Sequence, residues 1–324
     1  MYKKFYSLTR NPFEISPDPY FLMTTAQHNE ALASIVHGVL RRKGFMLLTG
    51  EVGTGKTLMV RCLMELLRRR SVATANVFNP RLSPKELLLY IVGDLGVKAE
   101  SQDNKGTLLL QLYGYLIARQ KKGLTTVLIV DEAQNMDAEL LEEIRLLTNL
   151  ETDRQKLLQI VLVGQPELDQ KMDSPELRQL KQRITLRCQL EPLQEPETRK
   201  YIWRRLARAG VDDSQAATLF PEATTAAVYR YSRGIPRLIN TICENALILA
   251  YAKQSRTVAG EVIDEIARDL RLHVTPRPVT SEPGISVSRQ DLARSLLDLI
   301  NVLERAARAP LNRPSAHEAG AKIV

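Results

Sequence analysis

Short apolar runs alternate with amphipathic stretches along the first 190 residues of the chain. Five runs have the length and β-branched character of buried strands, and the stretches between them repeat with helical spacing. The predicted strands are residues 45–49, 72–78, 125–130, 157–163 and 184–190. The predicted helices are residues 28–42, 56–70, 83–95, 105–121 and 138–150. Strands separated by helices predict an α/β fold with a parallel sheet and helices on both faces.

The pattern changes after Pro192, where only helical spacing remains. The predicted helices here are residues 195–209, 213–219, 222–232, 236–252 and 258–270. They predict a small all-helical second domain. Residues 275–285 contain prolines without periodicity and are predicted to be a linker. A last amphipathic helix is predicted at 286–309, either packed back on the helical domain or docked on a partner, and residues 310–324 are predicted to be disordered.

The chain begins with a segment rich in aromatic residues, at 1–27. Pro12, Pro17 and Pro19 interrupt it, which predicts an extended segment rather than a helix. Such a segment is expected to pack across a core. The predicted domain order is therefore this segment, an ATPase core at 28–192, a helical lid at 193–274, and the linker, helix and tail described above.

Composition narrows the class of protein. The chain has 324 residues, of which 44% are hydrophobic and 25% charged, typical of a soluble globular protein. No apolar run approaches the ~18 residues of a membrane-spanning helix. The opening residues do not resemble a signal peptide. These features predict a cytoplasmic protein, with a peripheral position at the inner face of a membrane left open.

Charge and metal-binding residues add two expectations. The net charge of +8 favours a polyanionic partner, either nucleic acid or an anionic membrane, unless it reflects a generally basic surface. The three cysteines and four histidines are scattered through the sequence. Their spacing matches neither a zinc site nor a redox motif, so none is predicted.

A phosphate-binding loop is predicted at 50–57, where the sequence fits G-x-x-x-x-G-K-[ST] and lies between a strand and a helix. Glycines let the backbone wrap around phosphates, and the following helix adds its positive end. Lys56 is predicted to neutralise phosphate charge, and the Thr57 hydroxyl to bind Mg²⁺. The predicted nucleotide contacts are Gly50, Glu51, Val52, Gly53, Thr54, Gly55, Lys56, Thr57 and Leu58.

Two adjacent acidic residues follow the third predicted strand. The strand delivers Asp131 to the carboxyl edge of the sheet, where ligands bind in open α/β folds. Asp131 is predicted to hold Mg²⁺ through water, and Glu132 to orient and deprotonate the attacking water. A catalytic Glu beside the metal-binding Asp favours ATP over GTP as the substrate.

Three further residues complete the predicted site. Gln165 follows the fourth strand and is predicted to sense the γ-phosphate between the first two elements. Arg183 precedes the fifth strand and is predicted to reach the nucleotide of a neighbouring subunit, with Arg178 as the alternative. Arg237 lies in the first turn of a helix, where the helix dipole does not favour a cation, which predicts a phosphate contact from the lid.

These elements, in this order, resemble the AAA+ superfamily and, more closely, secretion ATPases of the general secretion pathway A type. The resemblance covers about residues 1–270. It rests on Tyr2 to Phe13, Pro17-Asp18-Pro19, Leu48 to Thr57, Ile129 to Gln134, Val163 to Leu168, Gln182-Arg183-Ile184 and Gly234 to Asn240. Similar ATPases assist transposition and exopolysaccharide-linked protein sorting, and the lid arrangement is similar to that of origin-recognition ATPases.

The resemblance implies an ATP- and Mg²⁺-dependent homo-oligomer that drives assembly or remodelling of a secretion or cell-surface export apparatus, with protein components of that apparatus as partners. Larger members carry a membrane span and a periplasmic peptidoglycan-binding domain that this sequence lacks, which favours a purely cytoplasmic role. Two alternatives remain open. One is a DNA-associated switch, such as a transposition helper or regulator, and the other is a scaffold that binds ATP but barely hydrolyses it.

Overall fold

A five-stranded parallel sheet forms the centre of the protein. The computed structural model describes residues 2–14, 19–21, 25–78 and 80–272. The strands are β1 (Phe45–Gly50), β2 (Ala73–Val77), β3 (Thr126–Val130), β6 (Leu158–Gly164) and β7 (Ile184–Leu190). Their order across the sheet is β2-β3-β6-β1-β7. The predicted parallel α/β fold is thus confirmed. A two-stranded hairpin, β4 (Glu151–Thr152) and β5 (Gln155–Lys156), was not predicted.

Helices cover both faces of the sheet. One face carries α2 (Ala26–Leu40) and α3 (Lys56–Arg68). The other carries α4 (Pro84–Asp94), α5 (Lys105–Lys121), α6 (Ala138–Leu147), α7 (Pro166–Met172) and α8 (Arg178–Lys181). Alternation along β1 explains the two layers, because Met46 and Leu48 pack on the first set of helices while Phe45 and Leu47 pack on the second.

A separate apolar cluster holds the C-terminal helices together. These are α9 (Glu195–Arg208), α10 (Asp213–Leu219), α11 (Glu222–Ser232), α12 (Pro236–Ala252) and α13 (Gly260–Asp269). We call these five helices the lid. Their bounds lie within two residues of the predicted ones, because each is amphipathic and is punctuated by Pro, Gly or an N-cap residue.

The aromatic N-terminal segment packs on the lid and joins its core. Phe13 is fully buried against Phe220, with ring centroids 5.8 Å apart. The prediction of a wholly extended segment was wrong, because α1 (Tyr2–Phe5) forms one helical turn. The prolines begin only at Pro12, so nothing in this first turn removes a backbone donor. The Tyr6 amide accordingly donates to the Tyr2 carbonyl at 3.0 Å.

Two findings concern membranes and the C-terminal region. In the part of the chain that the structure describes, no helix combines the length and the apolarity needed to cross a bilayer. The predicted linker, amphipathic helix and tail, at 275–324, lie outside the described residues.

Candidate functional site

The order of the strands brings three predicted site segments to one edge of the sheet. β3, β6 and β1 are neighbours and run parallel, so their carboxyl ends lie side by side. The phosphate loop follows β1, Asp131 follows β3, and Gln165 follows β6. Because β6 lies in the middle, Gln165 stands between the other two segments.

The phosphate loop connects β1 to α3 through a left-handed turn. Gly55 is the N-cap of α3 with a φ of 102°, a conformation that residues with a side chain rarely adopt. The first amide groups of a helix have no partner within it and point out of its N-terminus. Together with the helix dipole, they make this end of α3 suited to a phosphate group.

Lys56 lies inside the loop. Its Nζ donates to the carbonyls of Gly50 at 2.7 Å and Glu51 at 2.9 Å, and the residue is buried. Burial lowers the pKa of the ammonium, an effect that the carboxylates of Glu132 and Asp131 oppose. The ammonium group is therefore held where phosphate oxygens of a nucleotide would compete with these two carbonyls for its hydrogen bonds.

Thr57 and Asp131 form a pair suited to a hard cation. The Thr57 hydroxyl donates to Asp131 Oδ2 at 3.1 Å, and the amide of Glu132 donates to Asp131 Oδ1 at 2.9 Å. Burial raises the pKa of the Asp131 carboxyl, and the two hydrogen bonds oppose that rise. A hydroxyl and a carboxylate oxygen at this spacing are ligands that Mg²⁺ accepts, so the donor set fits the predicted metal.

Glu132 is held in place by two glutamine side chains. Its backbone is left-handed, with a φ of 54°, which turns the chain sharply at the end of β3. Its Oε2 accepts from Gln134 Nε2 at 2.6 Å and from Gln165 Nε2 at 3.3 Å. Gln134 Oε1 in turn accepts from the Gln165 amide at 3.1 Å. The contact between Gln134 and Glu132 was not predicted; the only sign in the sequence was the position of Gln134 two residues after Glu132.

The lid touches the phosphate loop at the start of α12. The Arg237 amide donates to the Gly53 carbonyl at 3.3 Å. A Cβ added at Gly53 would lie 2.8 Å from the Cβ of Arg237, so only glycine allows this approach. The Arg237 side chain is exposed at this contact. The structure therefore places the predicted lid arginine beside the loop.

His28 forms a hydrogen bond with the phosphate loop at Thr54 and was not predicted as a site residue. Its Nε2 donates to the Thr54 carbonyl at 3.1 Å, and its Nδ1 accepts from the Thr25 hydroxyl at 2.8 Å. Burial lowers the pKa of His28, an effect that the hydrogen bond to Thr54 and the charge of Glu197 oppose. No spacing rule links a histidine in α2 to a loop 26 residues later.

Arg183 lies away from the other site residues. It precedes β7 next to the amino end of β1, and the loop follows the opposite end of β1. Its guanidinium donates to the Arg145 carbonyl at 3.3 Å, to Asn149 Oδ1 at 2.5 Å and to the Thr148 hydroxyl. These acceptors cap the end of α6. Arg178, the alternative, is exposed on α8.

Comparison with known proteins finds related sequences. Residues 39–172 match the AAA domain family. Over 263 residues, 81% of this chain, the sequence is 43% identical to general secretion pathway protein A of Aeromonas hydrophila. The chain spans about half of that relative, covering 47% of its length. The chain thus carries an AAA domain at 39–172 and resembles the general secretion pathway A family.

Solved structures show the same fold at low sequence identity. The ORC2 protein of Aeropyrum pernix, solved as ADPNP and ADP complexes, superposes with a TM-score of 0.58 at 18% identity, covering 80% of this chain and 71% of that one. Cdc6p of Pyrobaculum aerophilum gives 0.58 at 16% identity, covering 87% and 83%. These likenesses establish the AAA+ P-loop fold of the sheet and lid.

Proposed function

We propose that this chain binds ATP with Mg²⁺, hydrolyses the γ-phosphate, and uses the cycle to assemble or remodel a secretion or cell-surface export apparatus. The observation that carries the proposal is the Thr57–Asp131 hydrogen bond with Glu132 beside it. It brings the phosphate loop, a metal-binding carboxylate and a water-activating carboxylate to one edge of the sheet.

Thr57 and Asp131 are the residues that would hold the magnesium ion. When bound, Mg²⁺ neutralises charge on the β- and γ-phosphates. Lys56 adds a second positive charge at the same phosphates, since its Nζ lies within the loop. These residues orient the nucleotide and stabilise the charge that spreads over the γ-phosphate oxygens during transfer.

Glu132 is the residue that accepts the proton of the attacking water. Gln134 and Gln165 fix its Oε2, so the carboxylate is oriented before the reaction. Gln165 is proposed to sense the γ-phosphate, because it follows β6, which lies between β1 and β3. Arg237 would contact the phosphates from the lid and couple nucleotide state to lid position.

The proposed biological role rests on the similarity to general secretion pathway protein A. The identity of 43% to a protein named for a secretion pathway favours a secretion-linked ATPase over a DNA-associated switch. The chain is proposed to act as a homo-oligomer at the cytoplasmic side, with proteins of the export apparatus as partners and Arg183 completing the site of a neighbouring subunit.

The proposal is tested by measuring phosphate release from ATP with Mg²⁺ and with chelator. We expect hydrolysis that requires Mg²⁺ and is lost in Asp131→Asn, while the control Asp213→Asn, at an exposed position of α10, retains it. In the native host, the Asp131→Asn variant should stop export of the system's substrates. Magnesium-independent hydrolysis, or normal hydrolysis by Asp131→Asn, would refute the assigned site, and normal export would refute the role.

The DNA-associated alternative is tested in the same assay. The net charge of +8 is the observation that favours the DNA-associated alternative. A switch that acts on DNA should hydrolyse ATP faster with duplex DNA at moderate salt and lose this stimulation at high salt, because phosphate contacts are salt dependent. We expect no stimulation.

A further inference from the structure

The amino edge of the sheet, opposite the nucleotide site, collects positive charge. Four neighbouring strands, β2, β3, β6 and β1, begin there. The connection that leads into each of them carries arginine or lysine. Exposed cations in or next to these connections include Arg41, Lys43, Arg70, Lys121, Lys122 and Arg154, which we call the basic edge.

Hydrogen bonds hold these connections against one another. Arg42 Nη2 donates to the carbonyls of Gly123 at 3.0 Å and Leu124 at 3.2 Å, which joins the start of β1 to the start of β3. Arg119 Nη2 donates to the Ser71 carbonyl at 2.8 Å, which joins the start of β3 to the start of β2. The cations on these loops therefore lie on one fixed surface.

The connection into β6 meets the same surface. A Cβ added at Gly44 would lie 3.3 Å from the Lys156 side chain, so the hairpin before β6 packs against the start of β1. Arg154 is at the exposed tip of that hairpin. All four connections are thus part of one continuous edge.

Carboxylates offset part of this charge, and one of them, Asp153, is exposed beside Arg154 on the hairpin. Glu65 pairs with Arg68 and Arg69, and Glu151 pairs with Lys156. Within residues 2–14, 19–21, 25–78 and 80–272, no ion pair within 4 Å is formed by Arg41, Lys43, Lys121, Lys122 or Arg154. Like charges gathered on one surface repel each other, so an anionic partner would relieve the repulsion.

We propose that the basic edge binds the anionic headgroups of a lipid membrane and places the ATPase at the membrane surface. This inference goes beyond the proposed function and does not depend on ATP hydrolysis. The nucleotide site lies at the carboxyl ends of the same strands, so it stays open to solvent when the amino edge faces a membrane. Clusters of four to eight lysines and arginines near a membrane surface are typical of sites that bind anionic lipids.

The side chains of the edge favour a membrane over nucleic acid. The exposed aromatic residues of the described chain, Phe78, Tyr90 and Tyr113, lie outside the connections that form the edge. The edge therefore offers no exposed ring on which a base could stack, as proteins that bind single strands do. Flexible lysine and arginine side chains spread over four strand starts suit the flat, charged surface of a membrane. Binding to such a surface requires neither a groove nor alignment with a base sequence.

The test is sedimentation of the full chain with vesicles. We expect binding to vesicles of equal parts phosphatidylcholine and phosphatidylglycerol, weak binding to phosphatidylcholine alone, and release at high salt. In the triple variant Lys43→Gln, Lys122→Gln, Arg154→Gln, affinity should fall on the order of 100-fold, since each surface cation contributes about five-fold. ATP binding by the variant, measured in parallel, reports that it is folded.

A charge-matched control separates the edge from net charge. The triple variant Lys200→Gln, Arg204→Gln, Arg271→Gln removes the same three charges from exposed positions in or next to the lid and should bind vesicles like the wild type. Equal loss in both variants, or no binding of the wild type to anionic vesicles, would overturn the proposal. Tighter binding to duplex DNA than to vesicles at equal phosphate concentration, lost in the edge variant, would assign the edge to nucleic acid instead.

Discussion

The side-chain amide of Gln134 lies 2.6 Å from Oε2 of Glu132, the carboxylate proposed to activate water. Lys171 Nζ donates to the Gln134 carbonyl at 2.8 Å and to the Met136 carbonyl at 2.6 Å, which fixes the short turn that carries this glutamine. Orientation of the carboxylate thus depends on the short turn that follows the two acidic residues. The consequences for catalysis can be measured.

Gln134→Ala should hydrolyse ATP more slowly while binding it normally. Without the amide, Glu132 loses one of its two fixed partners, and a small misplacement of a catalytic group costs up to about 100-fold in rate. Steady-state phosphate release gives the rate, and calorimetry gives the affinity. Gln102→Ala, on an exposed loop, is the matched control. A variant with an unchanged rate would show that Gln134 does not position Glu132.

Lys56→Ala should lose nucleotide binding while keeping its fold. Lys56 is the side-chain cation of the phosphate loop, and its loss removes a charge-assisted contact worth roughly 100-fold in affinity. Titration calorimetry with ATP measures this, and circular dichroism checks the fold. Lys98→Ala, exposed and outside the site, should bind as the wild type does. Equal affinity for wild type and Lys56→Ala would contradict the assignment of the loop.

Glu132→Gln should bind ATP and turn it over about 10²–10⁴ times more slowly, because the amide cannot accept the proton from water. The two side chains have nearly the same shape, so the site should stay assembled and the ATP-bound state should accumulate. Single-turnover hydrolysis with Mg²⁺ measures the rate. A rate near that of the wild type would mean that another group is the base.

Arg183→Ala should bind ATP but fail to hydrolyse it, if the arginine acts on the nucleotide of a neighbouring subunit. Its contacts with the end of α6 offer a second explanation, a stabilising cap. Mixing Arg183→Ala with Glu132→Gln distinguishes the two. The mixed interface combines an intact Glu132 with an intact Arg183, so activity should return. Co-assembly without recovered activity would exclude action between subunits.

His28→Gln should change how stability depends on pH. The pKa of His28 is lowered in the fold, so between that value and the ordinary ~6.5 the unfolded chain binds more protons. Acidification through this range therefore destabilises the wild type. The glutamine side chain does not titrate, so the free energy of unfolding of the variant should fall less between about pH 7.5 and pH 5.5. Denaturant titrations at both pH values measure it; parallel losses would show that His28 does not contribute.

The sequence alone determined the parts of this protein that depend on local spacing. The phosphate loop, the strand ending at Asp131 and the amphipathic lid helices are each set by neighbouring residues, since turn chemistry and periodicity act over a few positions. The same reasoning failed at Tyr2–Phe5, where a helical turn forms before the first proline of the segment.

Tertiary structure alone decided which distant residues meet. The strand order β2-β3-β6-β1-β7 places Gln165 between the loop and Asp131, and it gathers the basic edge from four separate connections. Three hydrogen bonds likewise join elements far apart in the chain: His28 to Thr54, Arg237 to Gly53, and Arg183 to the Arg145 carbonyl in α6. Such contacts follow from how the layers pack, because periodicity fixes which face of an element is buried but not which element covers it.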